Sequence, residues 1–267
     1  MEAIIQYFAY AGKLVLLTLG VFAACGFAAY LAERLFVRLA GSSKFIYVSS
    51  VIGTPIHELG HAMMCLLFGH RITEIKLLLP PGHPSGTLGY VSHDYNPRNP
   101  WARLGNLFIS LGPIFSGLGV MILMLFLCFP TQWSEYVAAS GAFASGGHSF
   151  SQIATGVFSL LLSLPAAFAE RWWAASLGIA VILFVSQHVT LSGQDIKGAL
   201  GTMPVYLPLV AVFALVTSLF GAQAAVLDAL WTVNLWLLSL FSIAIAFSMV
   251  WILIGLAVFL LRKCFKR

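Results

Sequence analysis

Long apolar stretches separated by short polar segments dominate the pattern of this chain. Six of these stretches are long enough to cross a bilayer as helices of about 20 residues; they cover residues 14–32, 45–69, 104–129, 172–194, 203–220 and 230–261. Gly156 and Pro165 interrupt a further apolar stretch at 150–169. Re-entrant, interfacial and spanning arrangements all stay open for that stretch. The pattern predicts an all-α polytopic membrane protein with about six transmembrane helices.

The pattern changes after the second apolar stretch. Residues 72–79 partly alternate between apolar and polar side chains, 80–86 are rich in turn formers, and 87–92 again resemble a strand. This succession predicts a short membrane-associated β-hairpin. Gly86 and Gly89 would permit a close approach of another backbone, although ordinary hairpin glycines explain them equally well.

Composition supports a membrane protein. Hydrophobic residues make up 60% of the chain and charged residues 9%, whereas about a quarter of the residues in soluble domains are charged. The net charge of +5 requires no nucleic acid partner, because Lys and Arg gather near the ends of apolar stretches facing the lipid bilayer. We expect one integral membrane domain over 1–267, with a core at about 45–200, a retained N-terminal stretch and no PDZ or other soluble domain.

Basic residues also predict an orientation. With six spans and a cytoplasmic C-terminus, ten Lys and Arg lie inside, at positions 13, 71, 76, 98, 103, 197, 262, 263, 266 and 267. Four lie outside, at positions 34, 38, 44 and 171. This distribution favours a multi-pass protein of the cell membrane with its C-terminus in the cytoplasm.

A cluster of ionisable residues, His57-Glu58-Leu59-Gly60-His61, lies inside the second apolar stretch. Positions i and i+4 are about 40° apart on a helix, so both imidazoles can reach one tetrahedral Zn²⁺ ion. Glu58 lies between them, where it is free to act as a base. The alternative is two unrelated core histidines and a stray glutamate, although burying such groups without a ligand costs several kcal/mol.

A catalytic zinc site of this class needs a third protein ligand and leaves its fourth position to water. Of the three aspartates, Asp94 follows the hairpin and Asp228 separates the last two apolar stretches. Asp195 abuts the end of the fourth predicted span, with glycines on both sides that let the backbone bend. It is therefore the candidate ligand, and a helix cap or a pair with Lys197 are the alternatives.

Other polar residues and the cysteines are less informative. His188 is placed seven residues before Asp195 and could support the site, polarise a carbonyl or simply pack. Asn106 and Ser116 are further candidates for contact with a substrate. The four cysteines, at positions 25, 65, 128 and 264, show no metal-type spacing, and the first three are predicted to be small core residues.

Taken together, these motifs resemble the site-2 protease family of intramembrane metalloproteases. The segment 57–61 is similar to the family's HExxH, and the strand-like segment after it resembles the family's hairpin. Gly112-Pro113 resembles a Gly-Pro-x-x-Asn element in which Ser116 replaces asparagine. Leu191-Ser-Gly-Gln-Asp195 occupies the place of the Leu-Asp-Gly motif, although Ile196 follows where glycine is usual. The resemblance covers about 45–200 and implies that Asp195 is the third zinc ligand.

The resemblance implies a zinc-dependent intramembrane endopeptidase with one Zn²⁺ per chain. Its substrates would be transmembrane or membrane-proximal protein segments, cleaved for signalling or to clear remnant peptides. Glu58 would remove a proton from the attacking water, and the hairpin edge at 87–91 would pair with an extended peptide. The alternative is a non-hydrolytic zinc-binding membrane protein, either a transporter or a silent chaperone. A transporter should carry polar groups along a path through the membrane, whereas here they concentrate near 57–61 and 195.

Overall fold

The computed structural model of the protein describes residues 1–84, 86–145 and 150–265. Its elements are mostly helical. The helices are α1 (Glu2–Ala40), α2 (Ile46–Leu67), α3 (Pro100–Cys128), α4 (Pro130–Ser145), α5 (Phe150–Ser186), α6 (Gly193–Gly201), α7 (Met203–Leu219) and α8 (Gln223–Phe265), and the strands are β1 (Arg71–Lys76) and β2 (Tyr90–Asp94).

Helices long and apolar enough to cross a membrane confirm the coarse prediction. Four helices meet that description within the described ranges, namely α1, α3, α5 and α8. The number rises to five if α6 and α7, which meet at a bend of 54°, are counted together as one broken span. The predicted count of six is not confirmed, because α2 carries the ionisable residues of segment 57–61 and α7 has only 17 residues.

Helix α3 lies in the main hydrophobic core and forms the platform for the site described below. The side chains that α3 contributes to this core recur every three or four residues, as expected for one face of a helix. They are Leu107, Leu111, Ile114, Leu118, Met121, Leu125 and Cys128. Helices α2, α5 and α6 all pack against α3.

The predicted β-hairpin is confirmed. Strands β1 and β2 pair antiparallel, with Ile75 opposite Val91, and the Leu79 amide extends the pairing by donating to the Leu88 carbonyl at 2.7 Å. The strands are shorter than the alternating pattern predicts. Residue 85 of the predicted turn lies outside the described part of the chain, and Gly86 beside it adopts a φ of 69°.

The predicted span 172–194 is wrong at its end. Helix α5 starts at Phe150, kinks at Arg171 and stops at Ser186, so the ambiguous stretch 150–169 forms its first half. The chain then leaves the helix before Ser192 caps α6. Asp195 is therefore in the first turn of a new helix, not at the end of a span.

The first and last helices pack in parallel, which contradicts the predicted sidedness. The Asn234 amide donates to the Leu17 carbonyl at 2.7 Å, and near the other end of both helices Arg262 donates to the Ala40 carbonyl. Residues 34–44 therefore lie at the same end as Arg262, not on the opposite side. Parallel first and last spans also require an odd number of crossings, which a count of six does not satisfy. Residues 266 and 267 lie outside the described ranges.

Candidate metal centre

Two imidazoles project from neighbouring turns of α2, and their ring centroids are 5.0 Å apart. The Nδ1 of His57 lies 3.0 Å from the carbonyl oxygen of His188, and the Nδ1 of His61 lies 2.7 Å from that of Ile109. Because a carbonyl only accepts hydrogen bonds, each Nδ1 must carry the proton. In the neutral rings, each Nε2 therefore presents a lone pair.

The carboxylate of Asp195 lies close to both Nε2 atoms. Its Oδ1 lies 3.3 Å from the Nε2 of His61, and its Oδ2 lies 4.0 Å from the Nε2 of His57. One ligand atom from each residue falls within a group whose members are all within 4.8 Å of one another. Two ligands on a tetrahedral zinc ion are about 3.3 Å apart, so the donor set fits one ion.

Asp195 also caps α6, so the two interpretations of this residue are compatible. Its Oδ2 accepts from the Ser192 amide at 2.7 Å, and its own amide donates to the Ser192 hydroxyl at 3.2 Å. This capping box orients the carboxylate and leaves Oδ1 facing His61. The alternative pair with Lys197 does not form in the described structure, where Lys197 is exposed.

Glycine contacts on α3 bring the two halves of the site together. A Cβ added to Gly60 would lie 2.5 Å from the Gly112 carbonyl oxygen, so α2 and α3 touch through their backbones. A Cβ on Gly198 of α6 would lie 2.6 Å from the Ser110 hydroxyl. The Ile109 carbonyl that orients His61 belongs to the same stretch of α3. Small residues thus set the distance between the imidazoles and Asp195.

Glu58 is 6% exposed and faces the hairpin. A Cβ added to Gly89 would lie 2.9 Å from the Cγ of Glu58 and 2.8 Å from the Lys76 carbonyl oxygen. A larger residue at Gly89 would therefore displace either the carboxylate or β1. Gly86 differs, because no atom lies within 4 Å of its added Cβ and its left-handed backbone serves the turn.

The imidazole of His188 bonds to Ser49 and is not one of the grouped donors. Its Nε2 lies 3.1 Å from the Ser49 hydroxyl, which donates to the Ile46 carbonyl, so the His188 ring is the donor to Ser49. The ring also lies against Gly53, where an added Cβ would clash with it. The backbone carbonyl of His188 is the group that contacts the site, through His57.

The remaining polar candidates on α3 lie outside the donor cluster. Asn106 donates to the Arg103 carbonyl at 3.5 Å. Ser116 donates to the Pro113 carbonyl at 3.2 Å and lies beside Gly60 at the crossing of α2 and α3. Neither is among the residues grouped around His57, His61 and Asp195 in the described structure.

A second group of metal-type donors was not predicted. Cys65 is fully buried, as expected for a core cysteine, but a ligand atom of Cys65 lies within 4.8 Å of those of His70 and His93. One signal was present in the sequence, because Cys65 follows His61 by four residues, as His61 follows His57. The contact with His93 depends on the hairpin folding back and could not be inferred from spacing.

An apolar cavity of about 530 Å³ lies beside Asp195. It is bounded by α1 and α3 on one side and by α6 on the other, where Gly193 and Ile196 flank Asp195 in sequence. Its lining includes Phe22, Ala23, Leu111 and Leu200. An apolar segment lodged there would contact the residues that flank Asp195 in sequence.

No protein-family model, curated protein or solved structure matches this chain.

Proposed function

We propose that this protein is a zinc-dependent intramembrane endopeptidase of the site-2 protease kind. It would hydrolyse peptide bonds in membrane-embedded or membrane-proximal protein segments. The observation that carries the proposal is the convergence of the His57 and His61 Nε2 atoms with the Asp195 carboxylate, beside Glu58, in a largely apolar helix bundle. Non-hydrolytic zinc binding is the weaker proposal, because it gives no role to the buried carboxylate of Glu58 beside the ligands.

The zinc ion would be held by Nε2 of His57, Nε2 of His61 and Oδ1 of Asp195. When bound, it supplies a Lewis acid that polarises the scissile carbonyl and lowers the pKa of water. The surrounding backbone keeps these ligands in place: the His188 and Ile109 carbonyls fix the tautomer and the plane of each imidazole. The Ser192 amide orients the Asp195 carboxylate by donating a hydrogen bond to it.

Glu58 is the proposed general base. It neighbours His57 in sequence, and it is buried against Gly89. From this position its carboxylate would accept the proton of the attacking water and return it to the leaving amine. Gly89 contributes by leaving room for that carboxylate, which a larger residue would push aside.

The substrate would bind between the hairpin and the apolar cavity. β1 pairs with one edge of β2, and within the described residues no strand pairs with the opposite edge, which would serve for strand addition. A peptide paired along residues 87–91 would be extended, which is the conformation that hydrolysis requires. The apolar flank of the substrate would occupy the cavity beside Asp195.

We assign the end that contains residues 34–44 and the C-terminus to the cytoplasm. Arg34, Arg38 and Lys44 lie at this end with Arg262 and Lys263, and clustered basic residues favour the cytoplasmic face. The cell membrane is the proposed location.

The function can be tested without a known substrate by comparing the membrane peptides in cells that express wild-type protein or Glu58→Gln. We expect particular membrane peptides to accumulate with Glu58→Gln, and Glu135→Gln on the exposed face of α4 is the matched control. Identical peptide profiles for wild type and Glu58→Gln would refute hydrolysis.

A further inference from the structure

A second cluster of donors lies where the hairpin meets α2. Cys65 is on the last turns of α2, His70 is in the connection to β1, and His93 is on β2. Cys65 is 0% exposed, His70 is 4% exposed and His93 is half-buried. One potential ligand atom of each lies within 4.8 Å of the others. Cys65 is one helical turn beyond His61, about 6 Å along the helix axis, so this cluster is separate from the first.

His70 is held in the tautomer that a metal ligand requires. Its Nε2 lies 2.7 Å from the Ala102 carbonyl oxygen and must donate the hydrogen bond. Its Nδ1 therefore carries a lone pair, which faces the Nδ1 of His93 at 3.0 Å. Tyr95 stacks on the His70 ring, with 4.7 Å between the ring centroids. Gly105 of α3 leaves room for the His70 ring, because an added Cβ would lie 3.0 Å from its Nε2. Metal-bound histidines are typically anchored in this way, with the second ring nitrogen bonded to a carbonyl.

His93 presents a matching donor. Because the Nδ1 of His70 carries a lone pair, the Nδ1 of His93 donates the hydrogen bond between them, and a bound metal ion would displace that proton. Two zinc ligands are about 3.3 Å apart, so a separation of 3.0 Å needs to widen by only a few tenths of an ångström.

We propose that Cys65, His70 and His93 form a second zinc site, independent of the site at His57, His61 and Asp195. A soft thiolate and two imidazoles together suit Zn²⁺, and a single sulfur among them favours zinc over copper(I). The three protein donors leave the fourth position to water.

The site would fasten the hairpin to the helices. Its ligands join the end of α2, the following connection and β2, and the His70 anchor on Ala102 adds α3. Gly89, which lies against Glu58, is close to His93 in sequence and immediately precedes β2. An ion at this site would therefore fix the position of the β2 edge and of Gly89 relative to Glu58.

Cobalt absorption tests this site separately from the first one, which contains no sulfur. Purified wild-type protein loaded with Co²⁺ should show a thiolate-to-cobalt charge-transfer band in the near ultraviolet. Cys65→Ser and His93→Gln should remove or strongly weaken the band, whereas Cys25→Ser, which alters a buried cysteine of α1, should leave it unchanged.

The wild-type spectrum tests the proposal even if Cys65→Ser does not fold. His93→Gln is the second variant, and it alters only a half-buried position on β2. A cobalt-loaded wild-type protein without a sulfur band would overturn the proposal. A band that survives in folded Cys65→Ser would do the same. Neither result depends on whether the protein hydrolyses peptides.

Discussion

The Nε2 of His61 lies 3.3 Å from the Oδ1 of Asp195, and the opposite side of each group is already fixed by the backbone. The His61 ring donates to the Ile109 carbonyl, while the Asp195 carboxylate accepts from the Ser192 amide. Both groups thus turn lone pairs towards a common point. This arrangement is the one that a shared cation requires, and it supports the proposed metal centre.

Gly60→Ala should disrupt the site through packing. The new methyl group would meet the Gly112 backbone, which cannot rotate away, so we expect a loss of about 1–3 kcal/mol of stability and a lower zinc content. Gly119→Ala on α3 is the control, because its Cβ would meet no atom within 4 Å. Thermal unfolding in detergent and elemental analysis provide the measurements. Equal unfolding midpoints and zinc contents for the two variants would contradict this role of the crossing.

His188→Ala should retain zinc and hydrolysis, because the backbone carbonyl and not the imidazole contacts His57. Loss of the buried ring should cost about 0.5–3 kcal/mol of stability. In the wild type, Gly53→Ala should be damaging because its Cβ would clash with the His188 ring and would lie 2.7 Å from the Phe184 carbonyl oxygen. His188→Ala should therefore relieve only the part of the damage that is due to the ring. A folded His188→Ala protein that binds zinc but no longer cleaves would show that the imidazole takes part in catalysis.

Gly89→Val should impair hydrolysis while leaving zinc at the first site. The side chain would displace Glu58, and a displacement of about 1 Å at a reacting group lowers rates by roughly 100-fold. Accumulation of the same membrane peptides as in Glu58→Gln is the readout. Ser92→Ala, on the neighbouring strand, is the control. A wild-type peptide profile with Gly89→Val would rule out this arrangement of Glu58 and the hairpin.

Ala23→Trp should narrow the apolar cavity beside Asp195. The residue is exposed on the α1 wall of the cavity, so the indole would occupy the space offered to the substrate without touching the metal ligands. We expect a reduction of substrate binding by about tenfold, equivalent to roughly 1.4 kcal/mol, with unchanged zinc content. Unimpaired clearance of the affected peptides would show that substrates enter elsewhere.

The sequence was most informative where periodicity and chemistry agree. The i, i+4 spacing of His57 and His61 predicts a shared helix face, and alternation after Arg71 predicts the hairpin; both features are present. Asp195 was selected from only three aspartates, and the structure brings it to the histidines.

Features that depend on tertiary packing were not predictable. The apolar pattern continues past Ser186, so only the Ser192 cap reveals the break before α6. The parallel packing of α1 and α8 rests on contacts such as Arg262 with Ala40, which hydropathy does not encode. The grouping of Cys65 with His93 likewise requires the hairpin to fold back onto α2.

The most direct test of the central claim is the zinc content of purified Cys65→Ser protein with and without Asp195→Asn. Cys65→Ser removes the sulfur site, and Asn can still cap α6 while it lacks the charge that binds zinc. We predict one zinc per chain in Cys65→Ser, retained with Asp228→Asn as a control and lost with Asp195→Asn. A Cys65→Ser protein without zinc, or one whose zinc is unaffected by Asp195→Asn, would contradict the metal centre formed by His57, His61 and Asp195.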